Sequence, residues 1–256
     1  MNRVNFCHHT QGQTARLRFF GGTTNHWDGH CRPLDPIDFE ARPWVPHSGW
    51  PITRKDLDPF YERAHRVVEI GPYNYDLGFW QKKYPDFIPL PFDKEVIWSK
   101  IWQFSPPTRF GKRYRETILN APNVHLYTYA NVVDITANEA VSTVKELTVR
   151  NFTGKSHRVR AKYFILACNG IQNPRILLAA NKQAPKGLGN DHDLVGRYFM
   201  EHLEIKSAEL WLKDSDKLNL YRLGRDARAE LAIHEKKQTE LRILNGTASF
   251  SPLQIA

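Results

Sequence analysis

The stretch YFILACNGIQNPRILLAANK, residues 163–182, narrows the folds open to this chain. A short apolar run, Tyr163–Ala167, enters a turn at Asn169 and Gly170, and NPRILLAANK follows with helical spacing of its apolar residues. Strand, glycine turn and helix in that order make up the unit from which α/β nucleotide folds are built. The pattern predicts a strand at 163–167 and a helix beginning near Asn173, with Pro174 in the first turn, where its missing N–H costs nothing.

The rest of the chain divides by texture. Residues 1–45 are rich in glycine, proline and aromatics in their second half and read as loops. WPITRKDLDPFYERAHRVVEIG, residues 50–71, predicts a helix capped by Thr53, with Asp56 three residues on and a stop at Gly71–Pro72. Residues 46–120 as a whole read as a helical and irregular insertion, with 72–110 irregular and RFGKRYRETILNAP helical. NVHLYTYANVVDITAN predicts two short strands, and a hairpin should turn at Thr153–Gly154. Residues 121–200 therefore read as a return to the α/β domain. After Gly196 strand-like segments dominate, and a second, incomplete β-rich domain is expected over 201–256.

Composition excludes several classes. With 41% hydrophobic residues in 256, the chain can bury a sizeable core. The net charge of +9 would suit nucleic acid, but lysine and arginine are scattered among acids with no basic stripe, so no nucleic-acid partner is expected. No apolar run reaches the roughly 20 residues of a membrane span. No signal peptide is visible. Three cysteines, Cys7, Cys31 and Cys168, make no disulfide framework. Localisation and oligomeric state stay open.

RFFGGTTNHWDGHCRP, residues 18–33, is the other unusual stretch. Gly21 and Gly22 remove two Cβ atoms, so the backbone can take positive φ or lie against a flat ligand. Thr23 and Thr24 add hydroxyls, and His26 and Trp27 stand just behind. A bland alternative is a tight turn with a buried tryptophan and a satisfied core histidine. A metal alternative would use His26, His30 and Cys31 with Cys7, His8 and His9. It lacks a helix to align its ligands and any CxxC pair, so no metal is expected.

RLRFFGGTTNHWDGHCRPLDPIDF, RPWVPHSGWPITRKDLDPFYERA, FSPPTRFGKRYR, FILACNGIQNPRILLAANK and GLGNDHDLVGRYFMEH, in this order, resemble the middle of a glucose–methanol–choline oxidoreductase, in the branch of sugar and polyol dehydrogenases and pyranose oxidases. The resemblance implies an α/β (α+β) fold, part of a Rossmann-type FAD-binding domain with the start of a β-rich substrate domain. It implies FAD as cofactor and a small alcohol or sugar as substrate, oxidised by hydride transfer to flavin N5. By the same resemblance Gly21, Gly22, Thr23, Thr24 and Asn25 pass along the flavin. His26 stands at the position that can be bonded to the flavin 8α-methyl carbon. Asn25 replaces the usual Thr or Trp, which leaves that bond open. Val132 matches the residue whose backbone meets the adenine. Ala167, Cys168 and Gly170 match the turn that closes on the diphosphate and ribose, with Asn169 tolerating a left-handed conformation and Cys168 a small buried wall residue. Asn190, His192 and His202 lie at the passage between domains and read as structural.

Two family features are missing from the sequence. No GxGxxG cradle for the FAD pyrophosphate occurs, and the family's C-terminal His–Asn or His–His pair, which holds the general base, is not reached. The chain is thus expected to be an internal fragment with no catalytic residue of its own, inactive alone. The alternative is a non-catalytic remnant or subunit acting as a binding module.

Overall fold

The computed structural model describes residues 17–201 and 205–251. Seven strands are present in these: β1 (His30–Cys31), β2 (Ile97–Phe104), β3 (Asn131–Ala137), β4 (Val144–Arg150), β5 (Ser156–Val159), β6 (Ala227–Ile233) and β7 (Thr247–Ala248). They form two sheets, in the orders β1-β2-β6-β7 and β3-β4-β5. The described residues divide into two compact units, one within Arg16–Tyr114 and Ser207–Ala256, the other within Arg115–Lys206.

In the unit of Arg16–Tyr114 and Ser207–Ala256, every strand pairing is antiparallel. Residues alternate between the two faces of a strand. One face of the central β2–β6 pair carries Ile101, Ala227 and Ala229 and packs on Trp80, Phe87, Leu220 and Tyr221, all buried. On the other face Lys100 stands opposite Glu230, and Trp102 opposite Arg228. Lys100, Glu230 and Arg228 are buried too. The strand IWSKIWQF is therefore covered on both sides and shows no clean polar alternation, which is why its residues read as an irregular insertion. The structure corrects that reading, since β2 is the central strand. Residues 207–251 likewise form no sheet of their own; β6 and β7 complete the sheet begun by β1 and β2.

The helix Arg54–Val67 begins as expected. The Asp56 carboxylate accepts from the Thr53 N–H at 2.7 Å and the Thr53 hydroxyl at 2.8 Å, closing a capping box. Its end differs from expectation. Glu69, not Gly71, takes the left-handed conformation, at φ 56°. His65, the helix's one buried residue, bonds the Gly71 carbonyl through Nδ1 at 2.8 Å and the Tyr75 hydroxyl through Nε2 at 3.0 Å. A ring nitrogen facing a carbonyl must carry the proton, so Nδ1–H donates and fixes the tautomer.

The unit of Arg115–Lys206 holds the expected hairpin. β4 and β5 pair across Gly154, at φ 87°, with the Asn151 side chain accepting from the Lys155 N–H at 2.9 Å. Its core joins Ile135, Ala137, Ala180 and Leu188 with half-buried Val132, Leu147, Leu166 and Ile176. Three expectations fail here. The segment 123–130 is no strand, and Tyr129 breaks it at φ 56°. RFGKRYRETILNAP forms two short turns of helix, Phe110–Arg113 and Arg115–Leu119, instead of one helix. Tyr163–Ala167 is extended but joins no ladder among the described residues. Phe164 and Leu166 turn inward while Tyr163 and Ile165 stand 76% and 89% exposed. The fold is mixed helix and antiparallel sheet. A parallel, Rossmann-type sheet does not occur among the described residues, because the strand that would begin it has no partner there.

Buried Lys100 gives a testable consequence. Its ammonium pairs with the Asp35 carboxylate, which Asn245 also reaches at 2.8 Å and Arg32 at 2.9 Å. Burial alone would raise the Asp35 pKa. The hydrogen bonds from Lys100 and Asn245 and the Arg32 charge outweigh it and hold the carboxyl below its ordinary value. The stability this contributes is complete above the unfolded pKa of about 3.9 and is lost as pH falls through the lower folded value. Lys100→Met should cost about 3–5 kcal/mol in urea unfolding at pH 7 by stranding a buried carboxylate. From about pH 5 down to about pH 3, the range in which carboxylates titrate, wild type should lose more stability than the variant. Equal pH slopes would count against the pair.

Candidate functional site

Gly21–Trp27 is a tightly wound loop whose backbone crosses a second glycine. Gly21 is left-handed at φ 91°. A Cβ placed on it would lie 2.4 Å from the Gly111 nitrogen, and one placed on Gly111 would lie 2.3 Å from the Phe20 carbonyl oxygen. No side chain fits at either position, so the two glycines meet backbone to backbone. Gly22 differs. It has φ 54°, but a Cβ on it would come no nearer than 3.9 Å to any neighbour, the Leu17 carbonyl oxygen. Among the described residues a side chain at Gly22 would thus meet only an ordinary van der Waals contact.

Within the loop most polar side chains are spent internally. The Thr24 hydroxyl donates to the Gly21 carbonyl at 2.5 Å. The Asn25 amide donates to the carbonyls of Gly22 at 2.9 Å and Phe20 at 3.2 Å, closing the single 3₁₀ turn Gly22–Asn25. Thr23 and His26 are exposed, and neither side chain makes a hydrogen bond among the described residues. The loop thus leaves one hydroxyl and one imidazole exposed. This corrects the bland reading, for His26 is neither buried nor satisfied.

Residues 105–111 brace the loop. Trp27 donates its indole N–H to the Thr108 carbonyl at 2.9 Å. The Phe110 N–H donates to the Thr24 hydroxyl at 3.3 Å. Arg109 donates to the carbonyls of Thr24 at 3.2 Å and Trp27 at 2.7 Å. Gly29 lies equally close to this segment, with a Cβ there only 2.7 Å from the Ser105 carbonyl oxygen. These bracing residues escaped the sequence reading. Gly111, directly after an arginine and a phenylalanine, was the available signal.

The remaining candidates lie in the unit of Arg115–Lys206. Val132 is half-buried on β3 opposite Val149, and it shares a core with Leu166 and Ile176. Asn169 is left-handed at φ 82°, as the turn requires. Its side-chain oxygen accepts from the N–H groups of Ile171 at 3.0 Å and Gln172 at 2.9 Å, closing the turn that leads into the helix Gln172–Ala179, whose N-cap position is Ile171. The helix thus starts one residue before the expected Asn173 and holds Pro174 in its first turn. The Asn173 side chain accepts from the Cys168 N–H at 2.9 Å and donates to the Leu166 carbonyl at 3.1 Å, fixing the approach to the turn. Ala167, Cys168 and Gly170 are exposed, and a Cβ on Gly170 would meet nothing within 4 Å. Cys168 is therefore not the buried wall residue expected of it.

Asn190 is buried and structural, bonded to the Lys186 carbonyl at 2.8 Å and the Val195 N–H at 2.9 Å. His192 is exposed. His202, Cys7, His8 and His9 lie outside the described residues. Among the described residues no three His, Cys, Asp or Glu side chains converge as a metal site. No helix among them is long and apolar enough to cross a membrane.

Similarity to known proteins lies along most of the chain. It is 40% identical to the fructose dehydrogenase large subunit of Gluconobacter japonicus, over 76% of this chain and 44% of that one. It is 34% identical to 6'''-hydroxyparomomycin C oxidase of Streptomyces lividus, over 69% of this chain and 40% of that one. It is 28% identical to 2-methyl-1,2-propanediol dehydrogenase of Mycolicibacterium austroafricanum, over 72% of this chain and 40% of that one. No family model matches. The chain spans about two fifths of the length of these relatives. It is similar to oxidoreductases that, by their names, act on alcohols and sugars.

The glycines separate packing from openness by experiment. Gly111→Ala should destabilise by about 1–3 kcal/mol, since its Cβ collides with backbone. Gly22→Ala should cost about 1–2 kcal/mol for its left-handed φ alone. Gly170→Ala should stay within about 0.5 kcal/mol of wild type. Urea midpoints in the reverse order would contradict the crossing at Gly21 and Gly111.

Proposed function

We propose that this chain is a segment of an FAD-dependent oxidoreductase that oxidises a CH–OH group of a sugar, polyol or sugar acid, and that its Arg115–Lys206 unit belongs to a Rossmann-type flavin domain. The observation that carries the reading is the outer side of the Gly21–Trp27 loop. Among the described residues a Cβ on Gly22 would meet only the Leu17 carbonyl oxygen, at 3.9 Å, and His26, four residues on, is exposed, in a chain similar along most of its length to dehydrogenases and oxidases. Glycine at that position suits a flat ring lying against backbone. FAD, when bound, would supply the hydride acceptor.

This chain's residues then have separate tasks. Gly22 and Thr23 offer backbone and one hydroxyl to the ring. Thr24 and Asn25 hold the loop's shape, because their side chains are already committed to its carbonyls. His26, whose side chain makes no hydrogen bond among the described residues, would be the group to meet the ring edge. Trp27, pinned to Thr108, stands behind it. In the unit of Arg115–Lys206, Ala167, Cys168 and Gly170 leave their own turn exposed. The first amides of the following helix are not available to a phosphate, since Asn169 occupies them. Pyrophosphate binding must be provided elsewhere.

The test is chemical. After loading with FAD and denaturation in acid, flavin that stays with the protein would report a bond to His26, and His26→Ala should release it. In the full-length protein, loaded with FAD, His26→Ala should oxidise substrate about tenfold more slowly, equal to about 1.4 kcal/mol of barrier, and show a lower flavin potential. Unchanged flavin retention, potential and turnover would reduce His26 to a surface residue and remove the main support for the reading.

A further inference from the structure

We propose that Arg109 is the positioning residue of the Gly21–Trp27 loop, holding the two carbonyls that flank His26 and so setting the direction in which its imidazole faces. This rests on the reading that His26 is the group that meets the cofactor. The Arg109 Nη1 donates to the carbonyl of Thr24 at 3.2 Å and to that of Trp27 at 2.7 Å. These acceptors bracket Asn25 and His26. The other bonds between the brace and the loop each hold only one side: Phe110 N–H reaches Thr24, and Trp27 Nε1 reaches Thr108.

The guanidinium is unusual in its partners. Arg109 is half-buried, and among the described residues it forms no ion pair with a carboxylate; its hydrogen bonds there go to backbone oxygens. A charged donor makes a stronger hydrogen bond than a neutral one, about twice as strong. A planar guanidinium is also preorganised, so it loses less freedom per bond than a flexible ammonium.

The residue before it is anchored firmly. Thr108 is buried, and its hydroxyl donates to the Glu69 carboxylate at 2.7 Å, with the Val68 carbonyl also within reach at 3.1 Å. Arg113 holds the same Glu69 carboxylate at 2.6 Å, and the Tyr114 hydroxyl holds the Val67 carbonyl at 2.5 Å. The end of the helix Arg54–Val67 thus fixes Thr108, and Arg109 carries that fixed frame across to the loop. Among the described residues the one hydrogen bond His26 donates is from its backbone N–H to the Thr23 carbonyl, at 3.1 Å. Where its ring points is set by the carbonyls on either side.

Hydrogen exchange on the 256-residue chain tests this directly. Arg109→Met keeps the apolar stem and removes the donors. Exchange at the amides of Gly22–Trp27 should quicken at least about tenfold, the effect of a tenfold change in the opening equilibrium, while β2 and β6 keep their protection. Arg109→Lys should lie between wild type and Arg109→Met. Methylguanidinium should restore slow exchange in Arg109→Ala but not in Gly111→Ala, a rescue that a general loss of packing would not show. Exchange in the loop unchanged by Arg109→Met, or quickened equally in β2 and β6, would overturn the proposal. If Arg109→Met does not fold, Arg109→Lys and the rescue decide it. Flavin retention by the wild-type protein is a separate arm. Its failure counts against the His26 reading and leaves the exchange result standing, whereas unchanged exchange counts against Arg109 alone.

Discussion

The buried cation Lys100 organises the larger sheet. It sits on strand β2 with its ammonium out of water, where an unpaired charge would cost several kcal/mol. Two segments distant in sequence meet that demand. Asp35 supplies the carboxylate, Asn245 bonds both partners, and Arg32 pins Asp35 while donating to the Ile101 carbonyl at 2.7 Å. Glu230, directly across the ladder, is tied by Thr247 and Arg228. Residues 32–38, 97–104 and 228–247 therefore close on one another around charge, while the opposite face of the same strands closes around Trp80, Phe87 and Leu220.

The candidate site grows from the edge of that arrangement. β1 leaves the loop at His30 and pairs with β2 at Phe104 and Gln103, and the Ser105 N–H extends the pairing to the Gly29 carbonyl at 2.8 Å. Both strands of the crossing are thus delivered by the sheet: the chain entering β1 carries Gly21–Trp27, and the chain leaving β2 carries Ser105–Gly111. They can touch because glycine occupies each point of contact. The outcome is a loop that is rigid on its inner side and open on its outer side, which suits the cofactor-facing role proposed for it.

Much of this was legible in residue types. The Thr53 and Asp56 capping box, the turn at Gly154, the left-handed Asn169 and the helix carrying Pro174 follow from local chemistry, because each is satisfied within a few residues of chain. The loop at Gly21 announced itself by its paired glycines. What stayed hidden were features whose partners lie far away. β2 looked irregular because tertiary contacts bury both of its faces, one apolar and one ionic, and erase the alternation that marks a half-exposed strand. Tyr163–Ala167 looked like a strand because its residues favour one, yet a strand needs a neighbour, and none is present among the described residues.

The sequence by itself determined where the backbone turns, where helices begin, and that Gly21 and Gly22 keep a stretch of main chain free of side chains. Those properties belong to φ preferences and short-range hydrogen bonds. Only the tertiary structure decided that Gly21 is needed against Gly111 while Gly22 meets no close contact among the described residues. It also decided that Thr24 and Asn25 are consumed in holding the loop while His26 is left outward, and that Arg109 is the group spanning it. The physical reason is that a donor or a missing Cβ has no assigned role until its partner is in place, and here the partners, Arg109 with Thr24 and Trp27 among them, lie far apart in the chain.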